Sequence, residues 1–131
     1  MNDLKNREDI KIIVEAFYTK AMTDETIGYI FTDVAKLNLE KHIPTICDFW
    51  ATILFQNMVY RGSVVHKHIE LHKLSNLEPI HFETWLGIWE ETVKSLYEGE
   101  KAEEMIHRAK LMAEMMIHKI NYFNHNPNML I

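Results

Sequence analysis

A single cysteine, Cys47, is the only thiol in 131 residues. It cannot close an intramolecular bridge, and nothing else in the chain points to an oxidising compartment, so the expected setting is the cytoplasm. Long apolar runs are missing too. The N-terminus MNDLKNREDI is charged from Asp3 onward and has no apolar stretch of signal-peptide length. The longest weakly charged segment, residues 43–60, is interrupted by Pro44, Asp48, Gln56 and Asn57. Neither export nor a membrane span is expected. Positive charge is not massed either. The formal net charge is −5 and the 14 Lys and Arg residues are scattered, which argues against a phosphate-backbone footprint and hence against nucleic acid as a partner.

Also lacking are strand-like alternation of useful length, internal repeats, low-complexity linkers and strict heptads, so sheets, repeat arrays and a long coiled coil are all disfavoured. What is present fits one domain spanning residues 1–131, with its core at about 10–123 and a short flexible tail at 124–131. A chain of this length buries roughly two-thirds of the surface it would expose unfolded, enough for an interior that encloses a flat organic cofactor. Eight His, eight Met, three Trp, five Tyr and six Phe make that interior rich in polarizable groups.

The apolar spacing is helical almost throughout. Ile10, Ile13, Val14, Phe17 and Ala21 form one stripe of a helix that ends near Thr23 and Asp24. A short turn or helix, ETIGYIF, follows, with Gly28 as a local breaker. Residues 42–57 carry two adjoining stripes, His42/Ile46/Phe49/Ile53 and Ile43/Trp50/Leu54, so that helix is buried over a wide arc. After the histidine segment, Pro79 suits a first helical turn, and Phe82, Trp85, Leu86, Trp89, Val93 and Leu96 hold the helical period up to Gly99, which stands where a C-terminal cap would. The last helix runs from about 100 to 123, and Asn126 with Pro127 closes it. The expected architecture is all-α, with four principal helices and short extra turns.

VVHKHIELHK, residues 64–73, places His66, His68 and His72 within seven positions. Zinc fits this poorly: His68 and His72 share a helical face, but the His-Glu-x-x-His order is absent, Cys47 is far away, and two His leave a structural zinc short of four ligands. His66 and His72 read as solvated surface. His68, beside Ile69 and Leu71, reads as a residue settling against an apolar interior, either as a satisfied core histidine or as a ligand.

Several separated motifs occur together in one order: FY at 17–18, IGYIF at 27–31, His42 followed seven residues later by FW at 49–50, YRG at 60–62, HIEL at 68–71 and HFETWLGIWEETV at 81–93. This pattern resembles the group III truncated haemoglobins, the shortened two-over-two helical globins of bacteria, over about residues 10–120. The resemblance implies a two-over-two sandwich around haem b (iron protoporphyrin IX), with His68 as the proximal ligand to iron. Tyr18, His42 and Trp85 match the polar distal positions, Phe31 matches the haem-packing phenylalanine, and Phe17, Ile46, Phe49 and Phe82 look like the apolar part of the pocket. His81, before the Trp helix, reads as a first-turn residue and not as the ligand.

The implied ligands are O₂, NO and CO, with an unidentified reductase as electron donor. Hydrogen bonds to a group bearing charge contribute about 1.5–3 kcal/mol each. Donors at Tyr18, Trp85 and His42 therefore imply tight, slow-release O₂ binding, suited to NO or O₂ chemistry or to sensing, with NO dioxygenation or peroxide chemistry as open enzymatic options.

Pro44 fits only a first turn, so the distal helix is expected to begin near Ile43, leaving His42 at or before its N-terminus as a swinging gate for ligand access. Lys36, Lys41, Arg61, Lys67 and Lys73 are propionate candidates by sequence proximity. Cys47 reads as a small buried apolar residue. Two readings compete with the haem protein. One is a cofactor-free interaction module presenting the Met-rich face of Met105, Met112, Met115 and Met116. The other is a metal-binding helical domain using His66, His68 and His72.

Overall fold

The computed structural model describes residues 1–56 and 63–125, apart from the side chains of Val64 and Val65. Among these residues the chain is all-α: α1 (Arg7–Ala21), a π-helical turn (Ile30–Val34), α2 (Leu39–Phe55), α3 (Val64–Leu74), α4 (Pro79–Leu96) and α5 (Glu100–His125). The YRG motif at 60–62 and the Asn126/Pro127 closure lie outside the described residues. Of the residues assigned to the tail, Asn124 and His125 belong to α5, and the rest lie outside the described residues.

Local chemistry sets the helix starts. Asn6 caps α1 by accepting from the Asp9 amide at 3.2 Å, and Glu8 and Asp9 lie where the helix dipole favours negative charge. Its stripe of Ile10, Ile13, Val14, Phe17 and Ala21 is no more than 1% exposed. Each of the four larger side chains contributes about 1.5–3 kcal/mol of burial.

The start of α2 differs from expectation. It begins at Leu39, with Asn38 accepting from the Glu40 amide at 3.1 Å, so Pro44 lies in its second turn and His42 is already helical. The ladder bond that Pro44 cannot make would go to the Glu40 carbonyl. Both residues are exposed, and a carbonyl open to solvent makes the missing bond a small cost. Arg7 braces the same turn, donating to the Pro44 carbonyl at 3.0 Å and to Asp48 Oδ1 at 2.9 Å.

The histidine segment is a helix of 11 residues, one principal helix more than expected. Ser63 caps it, accepting from the His66 amide at 3.1 Å. Pro79 is the first residue of α4, as its fixed φ favours.

Both glycines named above act differently from expectation. Gly28 donates helically to the Asp24 carbonyl at 2.9 Å, and a Cβ there would stand 2.7 Å from the Met22 carbonyl oxygen. It permits a close approach to the end of α1 and does not break a helix. Gly99, at φ +134°, serves the helix after it: a Cβ would collide with Asp3, whose carboxylate accepts from the Lys101 and Ala102 amides at 2.9 Å each and so caps α5.

α1 packs on α2 and on α4, α4 packs on α5, and α3 packs chiefly on α5. The pairs α1/α2 and α4/α5 are thus stacked through α1 and α4, the two-over-two arrangement. The described part of α5 turns Met105 and Met116 into the core and leaves Met112 half-buried, so of the four methionines only Met115 is exposed. A Met-rich face offered to a partner is not what the fold displays. No helix among the described residues is long and apolar enough to cross a membrane.

Candidate functional site

Between the stacked pairs lies a cavity of about 340 Å³ with a largely apolar wall. Every site residue named from the sequence lines it: Phe17 and Tyr18 from α1, Phe31 from the π-helical turn, His42, Ile46 and Phe49 from α2, His68 from α3, and Phe82 and Trp85 from α4. A cavity this size, apolar with a few convergent polar groups, has the form of a small-molecule or cofactor site.

Tyr18 and His42 are joined: the phenol oxygen and His42 Nε2 stand 2.7 Å apart, with the rings edge-to-face at 5.4 Å. Burial pushes the Tyr18 phenol well above its ordinary range, with the nearby Cys47 thiol adding to the effect, so the phenol keeps its proton. Burial, then the charges of Lys67 and His68, lowers the His42 pKa and favours the neutral ring. A neutral His42 with its proton on Nδ1 accepts from Tyr18. With its proton on Nε2 it donates to Tyr18, and the phenol hydrogen is then released toward the cavity. Phe31 holds the other side of the phenol ring, edge-to-face at 5.6 Å.

His68 is half-buried, with its ring 6.3 Å from that of Phe82. It comes from α3, an element separate from those carrying Tyr18, His42 and Trp85, and its electrostatic effect on His42 acts across the cavity. The two histidines beside it diverge. His66 is exposed and faces Glu70 at 3.7 Å, as expected. His72 is not the surface residue expected: it is 7% exposed and bonded through both ring nitrogens. Among the described residues no three His, Cys, Asp or Glu side chains gather as a metal site, which leaves the three-histidine metal domain without a geometric basis.

His81 lies in the first turn of α4, as expected, and reaches the cavity wall. Its Nδ1 accepts from the Glu78 amide at 2.9 Å, so the neutral ring carries its proton on Nε2 and donates to the Tyr29 phenol oxygen at 3.2 Å. Of the propionate candidates, Lys67 lines the cavity, while Lys36, Lys41 and Lys73 do not and Arg61 is outside the described residues.

The sequence reading left Trp50 and Trp89 out of the pocket. Both line it, and with Trp85 they form a column: Trp50 and Trp89 stack at 5.2 Å, Trp89 and Trp85 at 6.0 Å. Trp85 and Trp89 are four apart on one helix, so their stacking was visible as spacing; the arrival of Trp50 from α2 was not. Leu77, Met112 and Met116 complete the wall from the α3–α4 connection and from α5, where only three-dimensional packing brings them to the site.

No protein-family model matches the chain. Among individual proteins, it is 31% identical over 111 residues to the group 3 truncated hemoglobin ctb of Campylobacter jejuni, a span covering 82% of this chain and 85% of that protein. The crystal structure of the group III truncated hemoglobin from Campylobacter jejuni matches it with a TM-score of 0.81 at 27% sequence identity, over 92% of this chain and 95% of that one. Extended over nearly the whole chain in both sequence and fold, this likeness places the protein in the group 3 truncated haemoglobin family.

Proposed function

We propose that the chain binds haem b in the central cavity, with His68 as axial ligand, and through it the diatomic gases O₂, NO and CO. The observation that carries this reading is the central apolar cavity with one imidazole on α3 and three polar groups, Tyr18, His42 and Trp85, contributed by α1, α2 and α4. The donor set fits the group: an apolar plate is held by burial against aromatic and aliphatic walls, one imidazole suits iron, and Lys67 places a positive charge at the cavity wall, opposite in sign to a propionate. Haem, when bound, supplies the iron at which a diatomic gas binds reversibly.

The protein's own groups then set how long the gas stays. Tyr18 keeps its proton and is oriented by His42, Trp85 carries an indole N–H, and Phe17, Ile46 and Phe49 exclude water around them. A donor already aimed in a water-poor cavity costs no reorganisation when a polar ligand arrives. His42 is fixed to Tyr18 from within α2, so any gating role consists of breaking one hydrogen bond, not of swinging from a loose helix end. Slow-release binding of this kind suits O₂ or NO chemistry, or sensing, in a cytoplasmic setting.

The test is the absorbance spectrum of the reduced, haem-reconstituted protein with and without CO, for wild type and for His68→Gly with and without imidazole. A histidine-ligated CO spectrum that His68→Gly loses and imidazole restores is expected. A wild type that takes up no haem overturns the reading, and a His68→Gly spectrum like wild type overturns the choice of ligand.

A further inference from the structure

We infer that His72 is a positioning residue of the wall that carries His68: its two ring nitrogens fix the seat of α3, and with it the direction in which His68 faces the cavity. The inference rests on the reading of His68 as axial ligand. His72 stands four residues after His68, so the two lie on nearly the same face of α3, one turn apart. Its Nδ1 accepts from the Leu77 amide at 2.9 Å. An amide only donates, so the neutral ring carries its proton on Nε2 and donates to Asn124 Oδ1 at 2.7 Å. Phe123 meets the ring edge-to-face at 6.0 Å.

One imidazole thus joins three pieces of chain: α3, the connection leading into α4, and the end of α5. Leu77, whose amide it holds, is buried, lines the cavity and stands one residue before the cap of α4. The helix needs such a fastening. It has 11 residues, below the length at which a helix holds itself, and of its described side chains only Ile69 and His72 are buried. One residue of rotation would turn His68 by about 100°. Apolar contact is non-directional and does not forbid a smaller turn, whereas two hydrogen bonds at right lengths and angles do. A leucine would fill the space of His72 but would leave the Leu77 amide without its acceptor.

The experiment compares wild type, His72→Leu and His72→Gln as haem-loaded ferrous proteins, reading the iron–histidine stretching band by resonance Raman and the rate of haem loss. Amide exchange along α3 is followed in the haem-free forms. His72→Leu is expected to broaden or split the band and to speed haem loss about tenfold, the low end of what removing a group behind a ligand costs. His72→Gln, able to accept from Leu77 and donate to Asn124, is expected to restore one narrow band and the protection of α3. A His72→Leu protein with the wild-type band and haem-loss rate overturns the inference, because a merely stabilising role would alter unfolding alone. Should His72→Leu fail to fold, Asn124→Leu, at the exposed end of α5, removes one of the two bonds, and an unchanged band there overturns the inference as well. A wild type without an iron–histidine band, or a band that survives His68→Gly, instead overturns the reading of His68.

Discussion

The wall bearing Tyr18, His42 and Trp85 draws on three helices that also form the centre of the core, whereas the wall bearing His68 is one helix of 11 residues packed chiefly on α5. Beside these residues in the first wall stand Phe17, Trp50 and Trp89, none more than 2% exposed. Behind the second stand a buried histidine, two hydrogen bonds and a few apolar side chains. The first wall is therefore held by the packing of the core itself, and α3 is held in addition by two specific hydrogen bonds of His72. If so, core truncation on the first side should unfold the protein, and truncation on the second should mainly disturb haem. Trp50→Ala is expected to cost about 3–5 kcal/mol in urea unfolding of the haem-free protein, and Leu71→Ala, half-buried on α3, no more than about 2 kcal/mol. Equal losses at the two positions would erase the contrast.

The donors themselves offer a subtler break. Tyr18→Phe removes one hydroxyl and keeps the ring against Phe17 and Phe31. If the phenol donates to bound O₂, its loss is worth about 1.5–3 kcal/mol, or of order tenfold to a hundredfold in release rate. Trp85→Phe should act in the same direction. Flash-photolysis or stopped-flow rates unchanged in both variants would show that these donors do not set ligand release.

The core and the cavity-lining residues were legible because they obey local period and motif order. Phe17, His42 and Trp85 occupy helical positions whose spacing survives folding unchanged. The start of α2 departs from the expectation drawn from Pro44 alone because the Asn38 cap, through its bond to the Glu40 amide, fixes the helix four residues earlier. An exposed turn tolerates one missing ladder bond. His72 was missed for another reason: its partners, Leu77 and Asn124, lie 5 and 52 residues along the chain, and no period links an isolated imidazole to either. Gly99 and Asp3 are the same case at a still larger separation, since the collision that glycine avoids is with a residue near the N-terminus.

Titration tests the first wall in another way. Burial and neighbouring positive charge lower the His42 pKa from its ordinary 6.5, so the unfolded chain binds a proton there at a pH where the folded chain does not. Stability contributed by this site is then complete above pH 6.5 and falls as the pH drops from 6.5 toward the lowered value, levelling off below it. His42→Leu removes that slope. The difference between wild type and variant in urea midpoint, followed from about pH 7 to pH 5, should change in this direction. A difference that stays flat would mean that His42 remains solvated.

Smallest in energy is the change at the junction of core and donor wall. Trp89 is 2% exposed, and its Nε1 is the one buried side-chain nitrogen or oxygen among the described residues that lacks a hydrogen-bond partner. Leaving a buried donor unmatched costs about 1–3 kcal/mol, and Trp89→Phe abolishes that cost while giving up part of the indole stacking. The two effects oppose, so the net change in unfolding free energy should be within about 1 kcal/mol and smaller than that of Trp50→Phe. The wide indole face at this position stacks against Trp85, parallel to it within 6°. Trp89→Phe should therefore speed O₂ release while leaving stability nearly unchanged. An equal loss of stability in the two phenylalanine variants, with release unaffected, would make Trp89 ordinary core.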